Sequence, residues 1–419
     1  MPLDLVVNPY LQVQPAGGED HGFRLFAPKP GYGLKTLNIS PDENPRLFDL
    51  FSELVNTRLL ALNPEIDLDE SERDLLVEHG ILVLKNAQPD QPLFQCSIDD
   101  ILPFDGDFKP GELIVDPTFR FAAFDLSKFS YLARERRLSP FLPSIWTRCP
   151  VNGIEYGYWV SHEDAVIVSR LVAGESPGFE ISDSLLRKLI SAEIVGHPIF
   201  FAEKIRKEKI DISEANLEFA RQKYTAVSSL FPATQMQAMR RYYASYVANG
   251  FMPFGDVQVA GRYCEHNELF AAYVHAHLLE MMTAVVGKKV KLAYVYAASY
   301  QGGSILNPHT DREQCEYSIS FQVDYQPSNE DFRSQWPIYL EPLEDYNDEI
   351  NENGVTIDWA EVEEVNSRRA TTPIYLRSGD ALIYKGRELI HYRYALPETH
   401  SSTSLFFHFV ADDFGGNIN

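Results

Sequence analysis

The chain is short of positive charge and of cysteine. Lys and Arg number 37 against 60 Asp and Glu, a formal net charge of −23 at pH 7. Nucleic-acid backbones and anionic membranes would be repelled by such a surface, so neither is expected as a partner. The four cysteines, Cys96, Cys149, Cys264 and Cys315, lie far apart and form no CxxC pair. The expected reading is reduced, mostly buried thiols in a cytoplasmic protein. No run reaches the roughly 20 apolar residues of a membrane span. The opening MPLDLVVNPYLQVQ has no basic segment and no long apolar one, so no signal peptide is expected. Repeats and low-complexity tracts are also missing. Aromatics, by contrast, make up 12% of the chain, which argues for packed structure over disorder. At 419 residues the chain exceeds one typical domain and can bury a large core.

Residues 45–62 place Leu47, Phe48, Phe51, Leu54, Val55, Leu59 and Leu62 at helical spacing. LDESERDLLVEHGILVLK reads as an acid-capped helix, a stop at Gly80 and a strand over 81–85. Helix, helix and strand suit either a winged-helix-like module or an ordinary α/β packing unit; the absence of any motif favours the second. Residues 113–172 alternate short β-rich stretches with loops, and a helix is expected to begin near Ser182. Asp211 with Glu214 three residues on has the form of a capping box opening another helix. Pro232 to Gly250 and Asn267 to Gly287 read as two further helices. From 290 onward seven or eight short β-rich runs follow one another. The expected architecture is α+β: an N-terminal α/β domain over 1–205, serving recognition or dimerisation, and a helix-buttressed β-barrel half over 206–419.

LNPHTDREQ, residues 306–314, sets His309 and Asp311 two apart, a spacing that puts both side chains on one side of an extended strand. His391, in KGRELIHYRYALP, comes several strands later, and a jelly roll brings such distant strands together. Two imidazoles and one carboxylate make the facial triad of non-haem Fe(II) sites. Imidazole suits Fe(II), the carboxylate lowers the charge of the site, and three octahedral positions stay free for a bidentate co-substrate and O2. H-x-D alone is a weak signal. Its surroundings are more specific: YQGGSILNPHTD gives a strand to Tyr300, a Gly-Gly turn and then the pair, and SGDALIYKGRELIHYR gives a turn, an apolar strand and the distal histidine.

Together these segments resemble the 2-oxoglutarate/Fe(II)-dependent dioxygenase superfamily, and within it the prolyl-hydroxylase-like branch, over roughly the last 130 residues. The resemblance implies a double-stranded β-helix (jelly roll) with His309, Asp311 and His391 as iron ligands. It implies 2-oxoglutarate as co-substrate, ascorbate as a stimulant, and oxidation of an unactivated C–H bond with release of succinate and CO2. Asp311 favours hydroxylation or a related oxidation, because halogenases of this pattern carry a small residue there. The far carboxylate of 2-oxoglutarate needs a buried cation. The family takes it from ten or more residues after the distal histidine, but residues 400–407, HSSTSLFF, hold no Arg or Lys. Arg393 is the first substitute, Arg387 the second, with Tyr300 and Ser404 adding hydroxyl bonds. A surface or interdomain ion pair is the ordinary alternative for Arg393.

Other features have plainer readings. His275 and His277 face different ways on a helix and belong to core or surface. His408 reads as a satisfied core histidine, with a place near the substrate as the alternative. Residues 341–364 hold ten acids and no Lys or Arg, and suit a solvated loop before a lid or a docking surface for a basic substrate. Arg312 is expected to face away from Asp311 and to pair with Glu313, Glu316 or substrate. Two further hypotheses stay open: a non-catalytic metal-binding jelly-roll protein, which the departure at 400–407 supports, and a DNA-binding regulator, which the charge disfavours. The expected partner is a small molecule or peptide, and a homodimer is compatible.

Overall fold

In the strand Tyr317–Gln326, polar and apolar residues alternate, yet eight of its ten side chains are buried. A strand hidden on both sides belongs to a central position in a covered sheet. The computed structural model describes residues 5–418 except 17–21, 58–67, 91, 93, 123–142, 179–180, 347–348 and 370. This strand lies inside an antiparallel six-stranded sheet of order Tyr224–Val227, Ala381–Tyr384, Tyr317–Gln326, Ser401–Ala411, Val290–Gln301, Arg262–His266. A three-stranded sheet, Leu306–His309, Leu389–Arg393, Tyr339–Pro342, packs against it. Leu340 and Leu389 of the smaller sheet share one core with Leu382 and Tyr384 of the larger.

The two faces of the six-stranded sheet differ in chemistry. Ile319, Phe321, Phe407 and Phe409 share one face: the helical residue His275 stacks on Phe407 and meets Phe409 edge-on, and Phe231, just before the helix Ala233–Ala248, meets Phe321. The other face carries Ser318, Ser320, Gln322, Ser404 and His408, all buried. Tyr300 and Tyr384 share that inner face through their register with Ser402 and Ser318.

The chain divides into two compact units, Met1–Pro92 with Tyr243–Asp256, and Leu93–Tyr242 with Val257–Asn419. The boundary expected at 205–206 instead falls inside the helix Pro198–Gln222. That helix also corrects the start expected at Asp211. His197 caps it, its ring nitrogen accepting from Ile199 N at 3.2 Å, and Pro198 opens it. Asp and Glu three apart also occur on a helix flank, so the pair at 211–214 marks no terminus here. The helix Ala233–Ala248 and the helix Leu269–Val286, capped by Glu268 and stopped by Gly287 in the left-handed region, follow their sequence signals closely. The latter is long and apolar enough to cross a membrane, but eight of its residues are buried inside the protein.

The first unit holds a three-stranded meander, Gln12–Pro15, Phe23–Lys29 and Gly33–Ile39, a strand pair Leu5–Val7 with Leu82–Leu84, and the helices Pro45–Thr57 and Glu70–Glu78. Asp69 and Glu72 form the capping box of the second helix, and Gly80 at φ +69° ends it. Residues 58–62 of the first expected helix lie outside the described residues. Leu25, Ile39, Leu47, Phe51 and Leu76 make the core.

His275 is 4% exposed, and its Nε2 donates to the carbonyl of His408 at 3.0 Å. Burial, with His408 beside it, holds its pKa down at about 3. The unfolded chain binds this proton near pH 6.5 and the folded chain does not. Stability is therefore full above about pH 6.5 and falls as the pH drops below it, by up to about 1.4 kcal/mol per pH unit for this group. Chemical denaturation between about pH 6.5 and 4 should show His275→Gln with a shallower acid limb than wild type, by about one proton. Equal slopes would remove His275 as a source of acid sensitivity.

Candidate metal centre

His309 and His391 are register partners across the ladder of Leu306–His309 and Leu389–Arg393. Partners in an antiparallel ladder project to the same face, and the two ring centroids are 4.2 Å apart. Each ring is fixed by its own strand. His309 Nδ1 lies 2.7 Å from the carbonyl of Asn307, and His391 Nδ1 3.2 Å from that of Leu389. A donor hydrogen on each Nδ1 leaves each Nε2 with a lone pair directed into the shared gap.

Asp311 completes the group by a different route from the one expected. The strand ends at His309, so strand alternation does not orient Asp311. Its backbone N–H donates to Gly386 O at 2.8 Å, and Ser318 Oγ donates to its Oδ2 at 2.8 Å. This leaves Oδ1 3.5 Å from His391 Nε2. One ligand atom from each of the three residues lies within 4.8 Å of those of the other two. Gly386 is packed so closely that a Cβ there would stand 2.2 Å from Asp311 Oδ2. The position is closed to any side chain.

Burial lowers the His309 pKa, with His391 adding to the effect, to about 4. Burial by itself would raise the Asp311 carboxyl, but His391, His408 and His309 around it hold it well below the usual carboxylate range. At neutral pH His309 is neutral and Asp311 ionised. Such nitrogen and oxygen donors fit a divalent first-row metal ion with open coordination positions.

His408 is more than a core histidine. Its Nδ1 lies 3.0 Å from Ser318 Oγ, whose proton goes to Asp311. It therefore orients the serine that orients the carboxylate. His275 and His277 stand away from this group, His275 in the core and His277 3.5 Å from Glu155. Arg312 makes no pair with Glu313 or Glu316: its Nε donates to the Tyr294 hydroxyl at 3.1 Å, with its guanidinium over that ring.

Arg393, two residues from His391 on the same strand, is 3% exposed. Its Nη1 donates to the carbonyl of Trp336 at 2.5 Å, and the guanidinium lies 4.7 Å from the Trp336 ring centroid. Among the described residues no carboxylate pairs with it. Burial pulls its pKa down to about 10, against the opposing influence of Tyr300 and Tyr384. Tyr300 is 2% exposed and stacks edge-on against Trp336 at 5.0 Å. Ser404 is buried on the same inner face, two residues from the Ser402 that pairs with Tyr300. Arg387 points elsewhere, its Nη2 donating to Asn351 O at 3.2 Å.

Ser318, Gln258 and Arg262 were not visible as site residues in the sequence. Gln258 Nε2 stands 3.1 Å from His309 Nε2, and Arg262 Nη2 donates to Gln258 Oε1 at 3.0 Å. No motif marks them; Ser318 and Arg262 reach the site through cross-strand register, and Gln258 from the bend that precedes the Arg262 strand. The acidic stretch is only partly a loop. Val355 and Ile357 bond to Thr310 and Pro308 along the edge of the His309 strand, and residues 359–368 form a helix. Glu341 is buried and accepts hydrogen bonds from Thr371, Tyr346 and Tyr392.

No protein-family model and no curated protein matches the sequence. Solved structures similar to the chain include the epimerase SnoN with Fe3+, alpha-ketoglutarate and nogalamycin RO, at 11% identity and TM-score 0.37 over 48% of this chain and 84% of that one. HygX from Streptomyces hygroscopicus with nickel, 2-oxoglutarate and hygromycin B matches at 14% identity and TM-score 0.36, over 48% of this chain and 88% of that one. A Pseudomonas putida prolyl-4-hydroxylase matches at 11% identity and TM-score 0.35, over 48% and 98%.

Gly386→Ala should push the Asp311 carboxylate from its place, and Ser318→Ala should leave it loosely held. Calorimetric titration with Mn(II) or Zn(II) is expected to show about 10- to 100-fold weaker binding in each variant, with the melting temperature of the metal-free protein as control. Wild-type affinity in Gly386→Ala would mean that Asp311 is no part of the metal centre.

Proposed function

We propose that the chain is a non-haem Fe(II)/2-oxoglutarate-dependent oxygenase whose two sheets form a double-stranded β-helix. The observation that carries this reading is the buried Arg393, which has no carboxylate partner among the described residues and lies two residues along the strand from a histidine that faces a second histidine and an aspartate. A guanidinium hidden from water and held by a carbonyl and an aromatic face is costly unless an anion joins it. A dicarboxylic keto acid, chelating a metal at one end and reaching this arginine at the other, supplies that anion.

His309, Asp311 and His391 would hold the ion, the imidazoles through Nε2 and the aspartate through Oδ1. When bound, the ferrous ion supplies O2 reduction coupled to decarboxylation of the keto acid to succinate and CO2. Arg393 neutralises the far carboxylate, with the Tyr300 and Ser404 hydroxyls as additional donors. Ser318 and His408 keep Asp311 ionised and aimed. The apolar surroundings of Trp336, Tyr384 and Leu389 exclude water from the keto-acid chain. The presence of Asp311 supports hydroxylation or a related C–H oxidation of a small metabolite, amino acid or peptide. The alternative of a non-catalytic metal-binding module rested on the missing arginine at 400–407; a buried Arg393 weakens it.

Purified protein given Fe(II), ascorbate and 2-oxoglutarate should release succinate slowly without added substrate. His309→Ala and Asp311→Ala should abolish that release, and Arg393→Met should weaken 2-oxoglutarate binding by about 30-fold or more. Succinate formation that survives both ligand changes would refute the assignment.

A further inference from the structure

Arg262 is 5% exposed and stands on an edge strand directly opposite Tyr300 in the antiparallel register. Its Nη1 donates to the Tyr300 hydroxyl at 2.8 Å, while its Nη2 donates to Gln258 Oε1. Gln258 in turn rests against the metal-facing nitrogen of His309. One guanidinium thus holds a phenol of the inner sheet face directly and reaches an imidazole of the candidate metal centre through Gln258. The rigid fork of arginine allows this double hold; the single ammonium of lysine is a poor substitute.

The direction of the bond to Tyr300 is fixed by chemistry. Arginine only donates, so the phenol oxygen accepts. The phenol's own proton is left over, and among the described residues it has no acceptor. A hydroxyl that accepts from a cation is polarised and becomes a better donor. This free donor is buried on the inner face, and the Tyr300 ring and the Arg393 guanidinium both lie against Trp336.

We propose that Arg262 is a positioning residue for the keto-acid co-substrate: it holds the Tyr300 hydroxyl with its proton turned to the cavity, ready for a carboxylate, and keeps the Gln258 amide beside His309. Arg262 itself does not touch the co-substrate. The inference rests on the keto-acid reading given above.

The test is calorimetric titration of 2-oxoglutarate into the full-length protein loaded with Ni(II). It compares wild type, Arg262→Gln, Arg262→Lys, Tyr300→Phe and the Arg262→Gln/Tyr300→Phe double variant. Arg262→Gln and Tyr300→Phe should each weaken binding about tenfold. The double variant should stay within about twofold of the weaker single one, because both changes remove the same hydrogen bond to the ligand. Arg262→Lys should lose about threefold, and this loss should also vanish on Tyr300→Phe. If Arg262→Gln does not fold, Arg262→Lys on both backgrounds carries the comparison, with melting temperatures as control. A merely structural arginine would lower affinity equally on both backgrounds, and that result, or wild-type affinity in both arginine variants, overturns the proposal while leaving the keto-acid reading intact. No binding by the wild-type protein would overturn both.

Discussion

Residues opposite each other on an antiparallel ladder point to one side of the sheet, and His309 and His391 are such a pair. The rest of the site is arranged around that register. A slip of one residue would turn one imidazole to the outer face and replace it with the side chain of a neighbour. Several local features hold the register. The ladder is irregular between Leu306 and His309, where Pro308 sits, and the outer edge of the same strand is bonded by Val355 and Ile357. The missing side chain at Gly386 lets the Asp311 loop close onto the next segment.

The six-stranded sheet separates two tasks by strand parity. Odd residues of Tyr317–Phe321 are apolar or aromatic and supply packing; even ones are serines on the opposite face. Serine in such a place is small and can donate or accept. Ser318 is fully engaged by Asp311 and His408, whereas the Ser320 hydroxyl has no partner among the described residues. Buried hydroxyls in native folds are nearly always bonded, so this wall has the character of a ligand-facing surface. The apolar face carries the stability that lets the polar one stay uncompensated.

Much of this arrangement could be read from local sequence. His309, Asp311 and His391 stood out because their spacing and flanking turns are local properties, and the inward direction of Arg393 followed from strand alternation alone. Long-range contacts were invisible: Ser318 and Arg262 reach the site across strands and Gln258 from a bend distant in sequence, and nothing nearby in sequence announces it. His408 was undervalued for the same reason. The division at 205 failed because a change from β-rich to helical composition marks a change of element, not a loss of contacts. The stretch Leu93–Tyr242 belongs to the same compact unit as the barrel strands.

Glu341 has a consequence for the acidic insertion. A carboxylate hidden from water with no cation paired to it among the described residues is tolerable only while Tyr346, Thr371 and Tyr392 all donate hydrogen bonds to it. Tyr392 is the immediate neighbour of His391 and projects from the back of the same strand. The insertion is thereby knotted to the reverse side of the metal centre, and its two ends cannot drift apart without pulling on that strand. A change at this knot is transmitted to His391 through the strand, whereas Val355 and Ile357 act on His309 directly from the other side.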